Sequence, residues 1–266
     1  MRVLILIPAR YASSRFPGKP LAPLRGASGT SRSLIERTWR AAIAVGPEVR
    51  VVVATDDARI RAEAEAFGAE VVMTPPEAEN GTARCAAALD ALRDPAEIIV
   101  NLQGDAPLTP PTFVSGLIDA MAARPEIEVA TPVLRCDAAA LVGFLEDRAA
   151  GRVGATTAVF DATGCALYFS KEVIPYTGRP LGPDETIPVF HHAGVYAFRP
   201  AALRRYPALT PGPLEAWEGL EQLRFLENGH AVHCIEVAPP AHPFWELNNP
   251  VDVSRIERIL AEQGME

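Results

Sequence analysis

Val3-Leu4-Ile5-Leu6-Ile7, running on into Pro8-Ala9-Arg10-Tyr11-Ala12-Ser13-Ser14-Arg15-Phe16-Pro17-Gly18-Lys19-Pro20-Leu21, is the stretch around which this chain is organised. An unbroken apolar run with β-branched residues suits a strand covered on both faces by helices. The loop that follows leaves the carboxyl end of that strand, the place where open α/β sheets bind ligands. Arg10, Arg15 and Lys19 stand there among small residues and free backbone N–H groups. Such a set makes a receptor for a polyphosphate, although charge alone leaves a solvated basic loop equally open. Lys19 adds a hint, because the chain has 25 Lys plus Arg and only Lys19 and Lys171 are lysine. A lysine kept where arginine is otherwise used marks a need for a compact ammonium on a flexible stem.

Working outward, Ser33 with Glu36 forms a capping box for a helix, and Val49 to Thr55 reads as a second buried strand. A helix from Ala58 to Phe67 stops at Gly68, and Ala69 to Thr74 is a third strand. The β-α-β-α-β alternation predicts a parallel doubly wound sheet. A polar loop from Pro75 to Arg84 leads into a helix over Cys85 to Leu92, then a strand over Glu97 to Leu102. That strand breaks at Gln103-Gly104-Asp105, placing a carboxylate at a strand end beside the first loop. Pro110-Pro111 opens the next helix. Pro132, inside a strand over Glu128 to Arg135, suggests an edge or a bulge.

Beyond Asp137 the pattern changes, with antiparallel strands at Thr156 to Phe160 and Ala166 to Ser170 and a Pro- and Gly-rich excursion from Pro175 to Pro188. A strand from His191 to Arg199, a long helix from Pro213 to Asn228 and a strand from Val232 to Val237 follow. Asn249-Pro250 caps a last helix reaching about Gln263. No repeat or linker divides the chain, which reads as one domain over 1–266 with a more irregular second half.

The 266 residues suffice for one large α/β core. A net charge of −8 disfavours a nucleic-acid surface, so the basic loop suits a small anion better than a polymer. No apolar run approaches the roughly 20 residues of a membrane span, and the chain enters a strand without the regions of a signal peptide. Cys85, Cys136, Cys165 and Cys234 form no C-x-x-C pair and read as thiols in a reducing cytoplasm.

Taken together, the first loop, Ala54-Thr55-Asp56, Gly81-Thr82 with Arg84, and Asn101 with Gln103-Gly104-Asp105 and Pro107 form a recognisable order. Ala166-Leu167-Tyr168-Phe169-Ser170, His192 with Gly194 and Tyr196, and Pro213-Leu214-Glu215 with Glu218 and Leu220-Glu221-Gln222-Leu223-Arg224 complete it. Over nearly the whole chain this order resembles the 3-deoxy-D-manno-octulosonate (Kdo) cytidylyltransferases, or CMP-Kdo synthetases. The resemblance implies a three-layer, Rossmann-like nucleotidyltransferase fold of the nucleotide-diphospho-sugar transferase type, its sheet mostly parallel with an antiparallel second half. It implies transfer of CMP from CTP to the anomeric hydroxyl of an eight-carbon acidic sugar in lipopolysaccharide precursor synthesis. It further implies that pyrophosphate leaves, that Mg²⁺ is the cofactor and that the assembly is a homodimer, with a nucleotide-binding half over about 1–135 and a sugar-binding and dimerisation half over about 136–266.

By the same resemblance, Arg10, Lys19 and Asp105 carry the chemistry. Pro8, Ala9, Ser13, Arg15, Thr82 and Arg84 join Arg10 and Lys19 in holding the nucleotide. Gln103, His192, Tyr196, Glu215, Glu218 and Gln222 surround the sugar, the last three on one helix face if the helix is continuous. Asp105 is the expected metal ligand. The second is in question: the family pattern Val-Asp-Thr-Pro-Glu-Asp meets Leu247-Asn248-Asn249-Pro250-Val251-Asp252, which puts an amide at Asn248 where a carboxylate is expected. Ala106 also replaces a common acidic residue. Glu246 would lie on the face of Asn248 in an extended segment and is the alternative ligand. Another ulosonic acid, such as an amino-substituted Kdo, and a non-catalytic nucleotide- or sugar-binding regulator are the competing readings. The absence of G-x-G-x-x-G after the first strand disfavours a dinucleotide oxidoreductase.

Overall fold

A computed structural model of the chain describes residues 1–13, 16–152, 155–179, 181, 185–240 and 244–266. The first half runs β1 (Val3–Ala9), a hairpin of β2 (Pro23–Arg25) and β3 (Ser31–Ser33), α1 (Leu34–Ile43), β4 (Val49–Thr55), α2 (Ala58–Ala66), β5 (Glu70–Met73), α3 (Gly81–Leu92), β6 (Ile98–Leu102) and α4 (Pro111–Ala123). The second half begins with β7 (Val129–Arg135), α5 (Ala138–Ala149), β8 (Thr156–Phe160), β9 (Ala166–Ser170), β10 (Phe190–His192) and β11 (Val195–Phe198). It closes with α6 (Pro200–Arg205), α7 (Pro213–Glu218), α8 (Leu223–Glu227), β12 (His233–Glu236) and α9 (Asp252–Glu262).

The main sheet has the order β5-β4-β1-β6-β11-β7-β10-β8-β9, with β12 paired to β7. β1 lies between β4 and β6 and is parallel to both, whereas β11, β10, β8 and β9 join antiparallel. The period of β1 explains its unbroken apolar run. Leu4 and Leu6 enter one core with Cys85 and Leu89 of α3, while Val3, Ile5 and Ile7 enter another with Ile35 of α1, Ile60 of α2 and Leu117 of α4. Each buried side chain of this size contributes about 1.5–3 kcal/mol, so a polar residue in β1 would open one layer or the other. No helix is long and apolar enough to cross a membrane among the described residues. Cys85, Cys136 and Cys234 are buried and Cys165 half-buried; desolvation pushes the thiols of Cys136 and Cys234 up to about 11 and about 12.

Several elements differ from the sequence reading. α3 begins at Gly81, because the Asn80 side chain accepts from Ala83 N; this moves Thr82 and Arg84 from the loop onto a helix. Pro132 is not on an edge, since β7 is flanked by β10, β11 and β12. It stands at an irregularity where the partner changes, with Ala130 opposite Ala197 of β11 and Val133 opposite His192 of β10. The expected single strand from His191 to Arg199 is accordingly interrupted at Ala193-Gly194. The helix expected over Pro213 to Asn228 breaks at Gly219, whose φ of 61° gives the left-handed C-terminal stop that glycine permits. Glu215, Glu218 and Gln222 therefore do not share one helix face. α5 and α6 were not foreseen, and α9 starts at Asp252, beyond Asn249-Pro250.

His191 and His192 point to opposite faces, one ring against Phe144 and Phe244, the other against Phe169 and Tyr196. His192 is only 6% exposed, and burial, helped by His191, pushes its pKa down to about 3. Its neutral form is thus favoured in the fold, while the unfolded chain takes up a proton below about pH 6.5. Stability should be fully present above that value and fall with pH, losing about 2 kcal/mol from this group by pH 5. Thermal melts of the protein and of His192→Asn across pH 5 to 7 check this; equal slopes would remove His192 as the cause.

Candidate active site

Three strand ends and a returning segment build the site. β1 ends at Ala9, and beyond it Gly18 N donates to Tyr11 O at 3.0 Å. Gly18 has φ 71°, and a Cβ there would lie 3.0 Å from the Tyr11 ring, so the closing turn requires glycine twice over. A cleft of about 520 Å³ lies against Arg10, Tyr11, Ala12, Ser13 and Pro17. Ser13 Oγ accepts from Phe16 N at 3.4 Å, so its hydroxyl shapes the loop. Arg10 Nη1 reaches Glu79 O at 3.5 Å. Arg15, expected beside the phosphates, lies outside the described residues.

β6 delivers Gln103-Gly104-Asp105 to the same rim. A Cβ on Gly104 would stand 2.6 Å from Pro8 O, so only glycine lets this turn press against the end of β1. That approach joins residues far apart in sequence: Lys19 Nζ donates to Asp105 Oδ2 at 2.5 Å, with both side chains partly exposed. Leu247 N donates to Asp105 O at 2.8 Å, which brings the Asn248 backbone alongside. Asp252 fixes that segment: its Oδ2 accepts from Asn248 N at 3.0 Å and Asn249 N at 2.7 Å. Glu246 Oε1 lies 3.0 Å from where a Gly194 Cβ would be.

A strand-end carboxylate beside a cationic loop suits Mg²⁺, which is held by few protein ligands and completed by phosphate and water. Among the described residues no three His, Cys, Asp or Glu side chains form a metal cluster. Asp105 fits as a protein ligand of such a site, and the Asn248 backbone runs beside it.

On the other side of β1, α3 presents Thr82 and Arg84, both buried. Thr82 Oγ1 accepts from Asn101 Nδ2 at 3.3 Å. Arg84 Nη1 donates to Thr74 Oγ1 at 2.6 Å and faces Asp56 Oδ1 at 3.4 Å. Desolvation lowers the Arg84 pKa, Asp56 opposes the shift, and the nearby Arg10 adds to it. Asp56, given no role from sequence, is thus the carboxylate that lets a buried guanidinium stand at the nucleotide side.

The residues expected around the sugar divide into two groups. Gln103, Tyr196 and Gln222 converge with Glu221: Tyr196 OH donates to Gln222 Oε1 at 2.9 Å, and Gln103 Nε2 donates to Glu221 Oε1 at 2.8 Å. Gln222 Nε2 is buried and unpartnered among the described residues, an available donor. His192 sits behind them, sharing a 2.8 Å hydrogen bond with Thr131 Oγ1. Glu215 and Glu218 are engaged with the protein itself. Glu215 accepts both Arg224 Nε and Nη2, at 2.8 and 2.7 Å, and Glu218 accepts Ser170 Oγ at 2.6 Å and Lys171 N at 2.9 Å. Helical spacing could not show this, because the helix breaks at Gly219.

A cationic loop at the ends of parallel strands, facing a strand-end aspartate, with a cluster of glutamine and tyrosine side chains behind it, suits a nucleotidyltransferase. Residues 4–235 match the cytidylyltransferase family model, and the chain belongs to that family. Within it, the chain falls among the Kdo cytidylyltransferases. It is 43% identical to the 3-deoxy-manno-octulosonate cytidylyltransferase of Maricaulis maris, over 99% of each chain. It is 41% identical to the 8-amino-3,8-dideoxy-manno-octulosonate cytidylyltransferase of a Shewanella strain, over 98% and 99%. A solved CMP:2-keto-3-deoxy-manno-octonic acid synthetase complexed with CTP superimposes with TM-score 0.81 at 32% identity, covering 99% of this chain and 100% of that one.

Proposed function

We propose that this enzyme transfers CMP from CTP to the anomeric hydroxyl of Kdo, giving CMP-Kdo and pyrophosphate for lipopolysaccharide precursor synthesis. The hydroxyl oxygen forms a bond to the α-phosphorus as the bond to the bridging oxygen of pyrophosphate breaks. The observation that carries the reading is the Lys19–Asp105 pair, 2.5 Å apart, which joins the loop after β1 to the turn after the adjacent β6. A lone surface pair is worth little to stability, so its placement at the rim points to a task with ligands. Lys19 and Arg10 offset charge on the departing pyrophosphate. Arg84 and Thr82, with backbone groups of Pro8 and Ala9, hold the nucleotide, and Gln103, Tyr196 and Gln222 hold the sugar.

Mg²⁺ is the proposed cofactor, held by Asp105 and Asn248; when bound it screens the phosphates and acidifies the attacking hydroxyl. The amide of Asn248 makes the site softer than a pair of carboxylates would. Asn248→Asp should therefore lower the Mg²⁺ concentration for half-maximal activity about tenfold. A metal titration of both forms checks this, and an unchanged requirement would take Asn248 out of the ligand set.

The proposed compartment is the cytoplasm and the proposed assembly a homodimer. β9 is an edge strand, and Leu167 on it, Tyr176 shortly after it and Trp217, whose neighbour Glu218 bonds Ser170 and Lys171, leave apolar side chains exposed. Pyrophosphate release with CTP, Mg²⁺ and Kdo, beside a no-sugar control and an ulosonic acid panel, tests the reading. The Shewanella relative puts 8-amino-3,8-dideoxy-manno-octulosonate on that panel. Release only with the amino sugar would transfer the assignment to it; CTP binding with no release across the panel would indicate a regulator.

A further inference from the structure

Glu221 stands half-buried in the turn between α7 and α8, and its carboxylate hydrogen-bonds no cation among the described residues. Its two oxygens are divided between two elements. Oε2 accepts Thr82 N, in the first turn of α3, at 3.0 Å. Oε1 accepts Gln103 Nε2, just past β6, at 2.8 Å. The backbone of the same residue is tied to α3 as well: Tyr206 OH donates to Glu221 O at 3.3 Å and accepts from Nδ2 of Asn80, the α3 N-cap, at 2.7 Å. The next residue, Gln222, takes the Tyr196 hydroxyl. Gln103 has little room to move, since a Cβ on Gly81 would stand 2.8 Å from both its Nε2 and Oε1.

A half-buried carboxylate held by neutral donors gains no ion pair to offset its desolvation, which raises the pKa of Glu221. A glutamine would fill the same volume without charge. What the carboxylate has and an amide lacks is two acceptor oxygens, one for each pocket. It also decides the orientation of Gln103: with Nε2 committed to Glu221, Oε1 is the end left to accept from a ligand hydroxyl.

We infer that Glu221 is a positioning residue that couples the two pockets, fixing the first turn of α3 on the nucleotide side and the Gln103 amide on the sugar side through one carboxylate. This rests on the substrate reading above. Thr82 and Gln103 lie in different pockets under that reading, so a residue serving one pocket alone would move one substrate only.

The test is Glu221→Gln, with initial rates measured over a matrix of CTP and Kdo concentrations. The glutamine keeps one acceptor and turns an NH₂ toward the other donor, so KM should rise about tenfold for both substrates. A change in one KM alone, or in neither, overturns the inference. Gln103→Ala is the second variant and serves even if the first fails to fold. It frees Glu221 from the sugar side and should raise KM for CTP about threefold besides weakening Kdo; an effect confined to Kdo overturns the coupling. Calorimetric titration with CTP alone separates the two readings. Wild-type protein that binds CTP but releases no pyrophosphate with Kdo refutes the substrate assignment. Glu221→Gln with wild-type CTP affinity refutes the coupling, and wild-type protein that binds no CTP refutes both.

Discussion

Asp105→Asn should reduce kcat for pyrophosphate release by about a thousandfold or more, with the fold intact. Three losses coincide at this side chain. The asparagine offers an amide oxygen where Mg²⁺ prefers a carboxylate, and Asn248, the proposed second ligand, is an amide as well. Lys19 loses the partner that holds its ammonium 2.5 Å away and at the rim. Charge screening at the transferring phosphate is then incomplete, and a single lost electrostatic group of this kind costs on the order of 10²–10³ in rate. The backbone is spared, because Asp105 O, not its side chain, receives Leu247 N. Circular dichroism and a melting curve should match wild type while steady-state turnover collapses. Turnover within tenfold of wild type would mean that Asp105 orders the loop and does not serve the chemistry.

Lys19→Met should lower kcat/KM for CTP by about a hundredfold, and Lys19→Arg should recover only part of it. Methionine keeps the stem and removes the charge. Arginine keeps the charge but spreads it over a wider planar fork, and Lys19 sits in a tight place: Gly18 before it is left-handed and presses on Tyr11, and Pro20 after it is buried. Stability should hardly change, because the Lys19–Asp105 pair is partly exposed and such pairs contribute about 0–1 kcal/mol. Initial rates at varied CTP, with calorimetric CTP affinity, check the expectation. Equal activity of Lys19→Arg and wild type would show that position 19 needs only a positive charge.

Much of the site was legible because its parts occupy the ends of strands that sequence marks well. The apolar run of β1 and the break at Gln103-Gly104-Asp105 locate two strand ends without any tertiary knowledge. The helical reading of 213–228 failed because glycine inside a helical pattern is tolerated as often as it terminates one. Only packing against β9 and α3 shows that Gly219 ends the helix. That single break took Glu215 and Glu218 into internal hydrogen bonds and drove Glu221 inward. In the motif Leu220-Glu221-Gln222 a carboxylate on a presumed solvated face carried no signal of burial. Asp56 was missed for a similar reason, since its partner Arg84 comes from a different helix.

By itself, the sequence determined the layers. Apolar runs and helix stops are local properties of neighbouring residues, and they led to a sheet that is parallel through β5-β4-β1-β6 and, apart from the parallel β7–β12 pair, antiparallel beyond. It also placed the cationic loop and the strand-end aspartate on one rim, because parallel strands share a carboxyl edge. The tertiary structure alone decided which charges meet. Lys19 with Asp105, Arg84 with Asp56 and Glu221 with Thr82 and Gln103 are pairs joined by side-chain direction and close backbone approach. Residues so far apart in the chain leave no periodic trace of such contacts, which exist only once Gly104 lets one strand end press against another.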